Sequence, residues 1–453
     1  MAEDAKPAEL EEESREYKKA LLFIKSGDWD KAREILEQFC EQNPRSARAF
    51  NKLAFVYVEQ SNLGAAEKVL TGLLQMGLRD FYTHFLYGRV LMRQGHVSDA
   101  VVHFTTALTI NPRDIYTLNA VAEAVLVQGD RVKAVRCLKK AIEISPADVV
   151  SYLSLGRLYL DSGEVDQATD VVGAGLGQSP KEPVLLFLQG RCLLAKNDEP
   201  EAKQRFDQLA EWYPGQAYGC IGRGLIREHA NDLPGAIREM TQALTVDARS
   251  LEAAERLGGL HARAGDKVAA LAAMEKALAL APQDLRVQVL HARALYERRL
   301  ILKAWLRVQA VLAQDANYFP ARVLVAALYL DEDLPAQATE ELLKVLEKEP
   351  GHVEALGLHG EAKAMMGKLD EAASIAAQVE KHEGADRQAN LILALVQRGR
   401  GDEIGYRKLL RALDIARKPD RVGVRARKLQ GMRLSGPVQL PRPAPPPESE
   451  PVN

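Results

Sequence analysis

A chain of 453 residues with 47% apolar and 27% charged residues has the balance of a folded protein, and a formal net charge of −2 exerts no overall pull on nucleic acid or anionic lipid. Ala, Leu, Glu, Arg, Lys and Gln are plentiful and aromatics make up 6%, a mixture that favours helix. Four cysteines lie far apart with no Cys-x-x-Cys pair, which argues for free thiols in a reducing, cytoplasmic compartment and against a disulfide frame or zinc knuckle.

The chain opens on an acidic stretch, residues 1–12, expected to be disordered, with Glu3, Asp4, Glu9, Glu11 and Glu12 against Lys6. It lacks the basic segment and apolar run of a secretory signal. No stretch reaches the roughly 18 uninterrupted apolar residues that a membrane span needs.

From residue 13 a pattern recurs every 34 residues. It is clearest over Phe81 to Asp114, where Gly88, Gly95, Ala100, Phe104, Ala107 and Pro112 have the spacing of a helix, a tight turn, a second helix and a proline stop. Stepping from Ala100 by the period gives eleven alanines, Ala32 to Ala372, which predicts a contact where two helices approach closely. A small residue also recurs in the first helix, from Ala20 and Ala54 through Gly88 to Gly360 and Ala394. The turn column holds Gly or Asn at nine of its twelve positions, with Ser61, Arg299 and Asp333 as departures; Gly and Asn tolerate the left-handed backbone that closes a helix. Asp28, Asp130, Asp198, Asp232, Asp266 and Asp402 follow as expected caps of second helices, with Pro200 and Pro234 in first turns.

These columns define twelve uninterrupted repeats over residues 13–420. The period and the residue types resemble the tetratricopeptide repeat. The resemblance implies an all-α, right-handed superhelical solenoid of helix-turn-helix repeats, acting as a non-enzymatic scaffold or adaptor that binds partner proteins or peptides in its concave groove. Repeats one, two, eleven and twelve are the most degraded, with Tyr406 in place of the alanine, as suits capping units. The first helix of repeat seven carries Gly219, Gly222 and Gly224, a candidate hinge. Residues 421–436 form a basic, marginally helical segment, and residues 437–453 a proline-rich disordered tail, with a PxxP-type ligand at Pro443 to Pro446 as a minor alternative. The acidic and basic ends allow self-association between chains.

No constellation for catalysis, cofactor or metal survives inspection. Gly173, Gly175 and Gly177 lack a preceding strand and the phosphate-loop spacing, and His352 and His359 lack a third ligand. With its period of 34 and near-zero charge the array is not expected to read RNA.

By the resemblance, ligands meet the second, fifth, sixth, ninth, twelfth and thirteenth positions of the first helices. That phase gives Asn51, Tyr82, Phe85, Arg89, Arg93, Tyr116, Asn119, Glu123, Arg157 and Arg191 as partner-binding residues, with Phe55 and Phe187 expected to pack between repeats. The arginines predict an extended or helical peptide of acidic character. The family's carboxylate clamp is not matched, because Tyr17 and Leu21 stand where lysine and asparagine are needed. Two other readings stand beside the adaptor: an assembly factor of a bacterial envelope machine (pilus, secretion or polysaccharide apparatus), suggested by the Ala- and Arg-rich composition, and the regulatory subunit of an enzyme supplied by a partner, since about 33 residues outside the array are too few for a catalytic domain.

Overall fold

In a computed structural model of the chain, every member of the alanine column from Ala32 to Ala372 is at most 2% exposed. The structure describes residues 15–77, 80–382 and 384–413; the acidic segment 1–12, the basic segment and the proline-rich tail lie outside them. The described residues form 24 helices and no strands. First helices begin at Ala47, Phe81, Ile115, Val149, Pro183, Tyr218, Leu251, Leu285, Phe319, Val353 and Asp386, within a residue or so of the positions set by the period. Within each unit, first helices pair with the second helix of their own repeat, and second helices pack in turn on the next first helix.

The twelve turns between paired helices share one backbone solution. All have positive φ, between 56° and 83°, including the departures Ser61 (58°), Arg299 (61°) and Asp333 (57°). The turn geometry therefore belongs to the architecture, and side chains that dislike it are forced into it. The expected aspartates then cap the helices that follow. Asp28, Asp130, Asp232, Asp266 and Asp402 each accept the backbone N–H three residues on, and Asp198 accepts that of Glu201 at 3.2 Å. A second set of caps, at Ser46, Asp80, Asp114, Asp148, Ser250 and Asp284, starts the first helices.

Two compact units divide at Leu209 and Ala210. In the first, buried Phe104, Leu138, Leu155, Val172 and Leu188 run through consecutive repeats as one core. Gly175 is buried on the second helix of repeat five, where an added Cβ would lie 2.9 Å from the Tyr152 side chain, so this glycine serves close packing. In the second unit the core centres on Trp305, whose ring meets Tyr329 edge-on at 5.3 Å. There Arg293 reaches both carboxylate oxygens of Glu354 at 3.0 Å, tying repeat nine to repeat eleven. Gly219 and Gly224 of repeat seven serve packing as well, since a Cβ at Gly219 would lie 2.8 Å from the backbone of Ala210, and one at Gly224 would lie 2.5 Å from the Met240 methyl. Tyr406, at the alanine phase of the last repeat, is buried against Leu410 and Leu413.

Candidate peptide-binding grooves

Within the first unit the first helices of repeats three to five, Phe81–Arg93, Ile115–Val127 and Val149–Asp161, are spaced by one period and present the same phase to one side. Their ninth positions, Arg89, Glu123 and Arg157, are exposed in succession. With Phe85, Tyr116, Asn119, Leu126, Val150 and Leu158 they line a groove of 440 Å³. Its walls are apolar at Tyr116, 67% exposed, and Val150, 54% exposed. Large exposed side chains gathered in a concavity make this groove the candidate surface for a partner. Charge of both signs surrounds them, since Asp148 and Asp161 share the groove with Glu123 and the two arginines.

Six of the residues expected to meet a partner thus converge: Phe85, Arg89, Tyr116, Asn119, Glu123 and Arg157. The remainder are placed differently. Asn51 is 2% exposed; its amide donates to Asp80 Oδ2 at 3.2 Å, and its oxygen accepts from the Thr83 hydroxyl at 3.0 Å. Asn119 repeats this rung two repeats on, donating to Asp148 at 3.2 Å and accepting from the Ser151 hydroxyl at 2.8 Å. Both asparagines tie their own repeat to the cap of the next first helix. Arg93 donates to the Val58 carbonyl at 2.6 Å, and Arg191 lies 3.8 Å from Asp161. Tyr82 stacks on Phe85 at 6.0 Å, and burial raises its phenol pKa. Phe187 is buried against Phe206, and Phe55 packs edge-on to Trp29.

A second groove, of 860 Å³, lies between repeats one and three. Tyr82 and Asn51 belong to it, together with Tyr17, Lys18, Leu21, Arg48, Lys52, Asp80 and Phe81. Its cations sit at the second and sixth positions of first helices, Arg48 and Lys52 in repeat two and Lys18 in repeat one. The phase was legible in the sequence; what hid the group is that Lys18 and Lys52 are 34 residues apart and look like ordinary surface charge.

The sites set aside for chemistry are also placed. His352 caps a helix, its Nδ1 accepting from Ala355 at 3.2 Å, while His359 is buried seven residues on. Among the described residues no three or more His, Cys, Asp or Glu side chains gather as a metal set. Burial pushes the Cys192 thiol up to about 11 and raises those of Cys137 and Cys220, away from the range of a nucleophile. No described helix is long and apolar enough to cross a membrane.

Tetratricopeptide-repeat family profiles match residues 17–81 and 222–284, 137–170, and 185–215. This is a tetratricopeptide-repeat protein. Searched by sequence, curated proteins yield no match. Among solved structures, the chain is similar to one in the APC/C hetero-tetramer Cut9–Hcn1, 14% identical over 91% of this chain and 89% of that one, with a TM-score of 0.51. It is also similar to a tetratricopeptide repeat protein from Parabacteroides merdae, 16% identical over 53% of this chain and 96% of that one, TM-score 0.44. A third is the C-terminal part of a repeat-containing protein from Cytophaga hutchinsonii, 19% identical over 60% of this chain and 97% of that one, TM-score 0.37. The first of these likenesses extends the shared fold over nearly the whole tetratricopeptide array.

Proposed function

We propose that the protein is a non-enzymatic adaptor that holds a segment of a partner protein in the groove of repeats three to five. The observation that carries this reading is the run of exposed Arg89, Glu123 and Arg157 over an apolar floor of Phe85 and Leu158. Arginine and tyrosine are common anchors of interface hot spots, and Tyr116 supplies the aromatic one. Because Glu123, Asp148 and Asp161 face the same space as the arginines, the occupant that fits is an amphipathic segment with charge of both signs, rather than a purely acidic one. Asn51 and Asn119 act in this reading through the repeat stack that they hold together.

The test is affinity capture with the wild-type chain and an Arg89→Glu, Arg157→Glu double variant. Both residues are exposed, so the variant should fold with unchanged helicity. Loss of a defined set of captured proteins is the expected result. An unchanged set would place the interaction elsewhere, and turnover of a substrate by the purified chain would end the non-enzymatic reading.

A further inference from the structure

The second helix of repeat four, Arg131–Ile144, concentrates positive charge on the outside of the array. Five of its 14 residues are cations, and Glu143 is the one carboxylate among them. Arg131 is paired with Glu164. Among the described residues no carboxylate pairs with Lys133, Arg136, Lys139 or Lys140, and the last three are exposed. Lys133, Arg136 and Lys140 surround Cys137; burial raises that thiol and the three cations oppose the rise. Like charges three and four residues apart repel and destabilise the helix that bears them.

The two flanking second helices, Val97–Ile110 and Val165–Gln178, contain no Lys or Arg. On the later one Gly173, Ala174 and Gly177 are exposed, and a Cβ at Gly173 or Gly177 would meet nothing within 4 Å, so packing inside the array does not call for these glycines. Glycine weakens a helix, but a face without side chains lets a second backbone come close. Val132, on the basic helix itself, is 69% exposed. The positive strip is one helix wide and about 20 Å long, and Asp99 and Asp170 stand on the helices either side of it. A strip so bounded fits a single acidic segment; the continuous charge of a membrane surface or a nucleic acid would meet the aspartates as well.

The chain contains such a segment in Glu9, Leu10, Glu11, Glu12 and Glu13. It cannot lie on its own repeat four. Glu9 is six residues from Arg15, where the first helix of repeat one begins, and six residues reach at most about 22 Å. Repeat four is three steps along the array, each of about 8–10 Å between packed helices, so its first helix is already beyond reach and its second lies further out. We propose that residues 9–13 of one copy dock on the outer face of Arg131–Ile144 in a second copy, with Glu9, Glu11, Glu12 and Glu13 over Lys133, Arg136, Lys139 and Lys140 and Leu10 against Val132. The contact joins unlike surfaces, so it links copies head to side rather than closing a two-fold pair. It uses none of the residues that line the groove of repeats three to five.

Sedimentation equilibrium of the full chain, at several concentrations in low salt, tests this. The mean mass should rise with concentration and return to that of the monomer in high salt. Association should weaken about tenfold or more in a Glu9→Gln, Glu11→Gln, Glu12→Gln, Glu13→Gln variant and in an Arg136→Glu, Lys139→Glu, Lys140→Glu variant, both with unchanged helicity. A chain with Glu9→Lys, Glu11→Lys, Glu12→Lys and Glu13→Lys should bind the Arg136→Glu, Lys139→Glu, Lys140→Glu chain in a mixture, although neither associates alone; a misfolded variant could not be rescued in this way. Four results overturn the proposal: a monomer at every concentration, association unchanged by the Gln substitutions, no binding in the charge-reversed mixture, or association unchanged in the Arg136, Lys139 and Lys140 variant, whether or not neutralising Arg421, Arg425, Arg427 and Lys428 of the basic tail removes it.

Discussion

Gly88 and Phe104 are fitted to each other: a Cβ at Gly88 would lie 2.5 Å from the Phe104 ring. The relation recurs along the array. Gly190 likewise faces Phe206, Gly224 faces Met240 and Gly258 faces Met274, each sixteen residues on, while Gly156 meets Val172 and Leu188 and Gly360 meets Ile375 and Ile392; alanine at the same phase stands opposite leucine in Ala54 and Leu70 or Ala122 and Leu138, all buried. In the four glycine pairs with Phe or Met, the space that a Cβ would take is filled by the partner's larger side chain. Gly88→Ala should cost about 1–3 kcal/mol by overpacking, and Phe104→Leu in the same chain should recover much of it. Denaturant melts of the two single variants and the double variant test this; strict additivity of their effects would show that the two positions do not share a volume.

Ser61 turns a helix with φ 58°, where nine of its eleven counterparts are Gly or Asn. A side chain there costs roughly 1–2 kcal/mol in the left-handed region. Ser61→Gly should therefore raise stability by up to about 1 kcal/mol, and Gly95→Ala, at φ 83°, should lower it by a similar amount. Thermal melts of opposite sign are the expected result.

What was legible in the sequence was whatever a 34-residue step repeats. The alanine column, the turns, the caps at Asp28 or Asp232 and the helix starts follow from short-range chemistry that is the same in every repeat, so their phase is visible without a structure. The candidate groove was legible only in part. Phase alone places Asn51 and Arg89 on the same kind of surface, yet Asn51 is buried by its bonds to Asp80 and Thr83 while Arg89 is exposed. That difference depends on which polar residues the next repeat happens to offer, a relation between columns that no single column displays. The pairing of Gly88 with Phe104 was hidden for the same reason, and so was the meeting of Lys18 with Lys52.

His103 lies with its Nδ1 3.0 Å from that of His84, so one hydrogen at most can sit between the two nitrogens. Burial, then the nearby His84, holds the His103 pKa below its ordinary 6.5, with Asp99 opposing. Burial likewise lowers His291, helped by Arg307 and opposed by Glu275, and His359, helped by Lys363 and opposed by Glu371. The folded chain keeps these imidazoles neutral where the unfolded chain begins to protonate, so the unfolded state binds more protons just below 6.5. Stability is full above that value and is lost as the pH falls through it toward the folded pKa values. The melting temperature should decline between about pH 7 and pH 5.5, and His103→Gln should flatten that decline. A wild-type melting temperature that holds constant across the window would mean that these rings protonate freely in the folded chain.

Asn51 and Asn119 provide a test of structure against binding. Each holds the cap of the following first helix, through Asp80 and Thr83 or through Asp148 and Ser151. Replacing Asn51 by alanine leaves the buried Thr83 hydroxyl short of a partner and removes a donor from Asp80, at a cost of about 1–3 kcal/mol. Asn119→Ala should cost somewhat less, because Asn119 is less buried and water can replace part of the lost bonding. Asn119 already spends its oxygen and an amide N–H on this bonding, so in conditions where the variant remains folded, Asn119→Ala should capture the same partners as wild type while Arg89→Glu, Arg157→Glu does not. Denaturant melts and affinity capture run on the same preparations separate the two effects; loss of capture by a fully folded Asn119→Ala chain would return that amide to the binding surface.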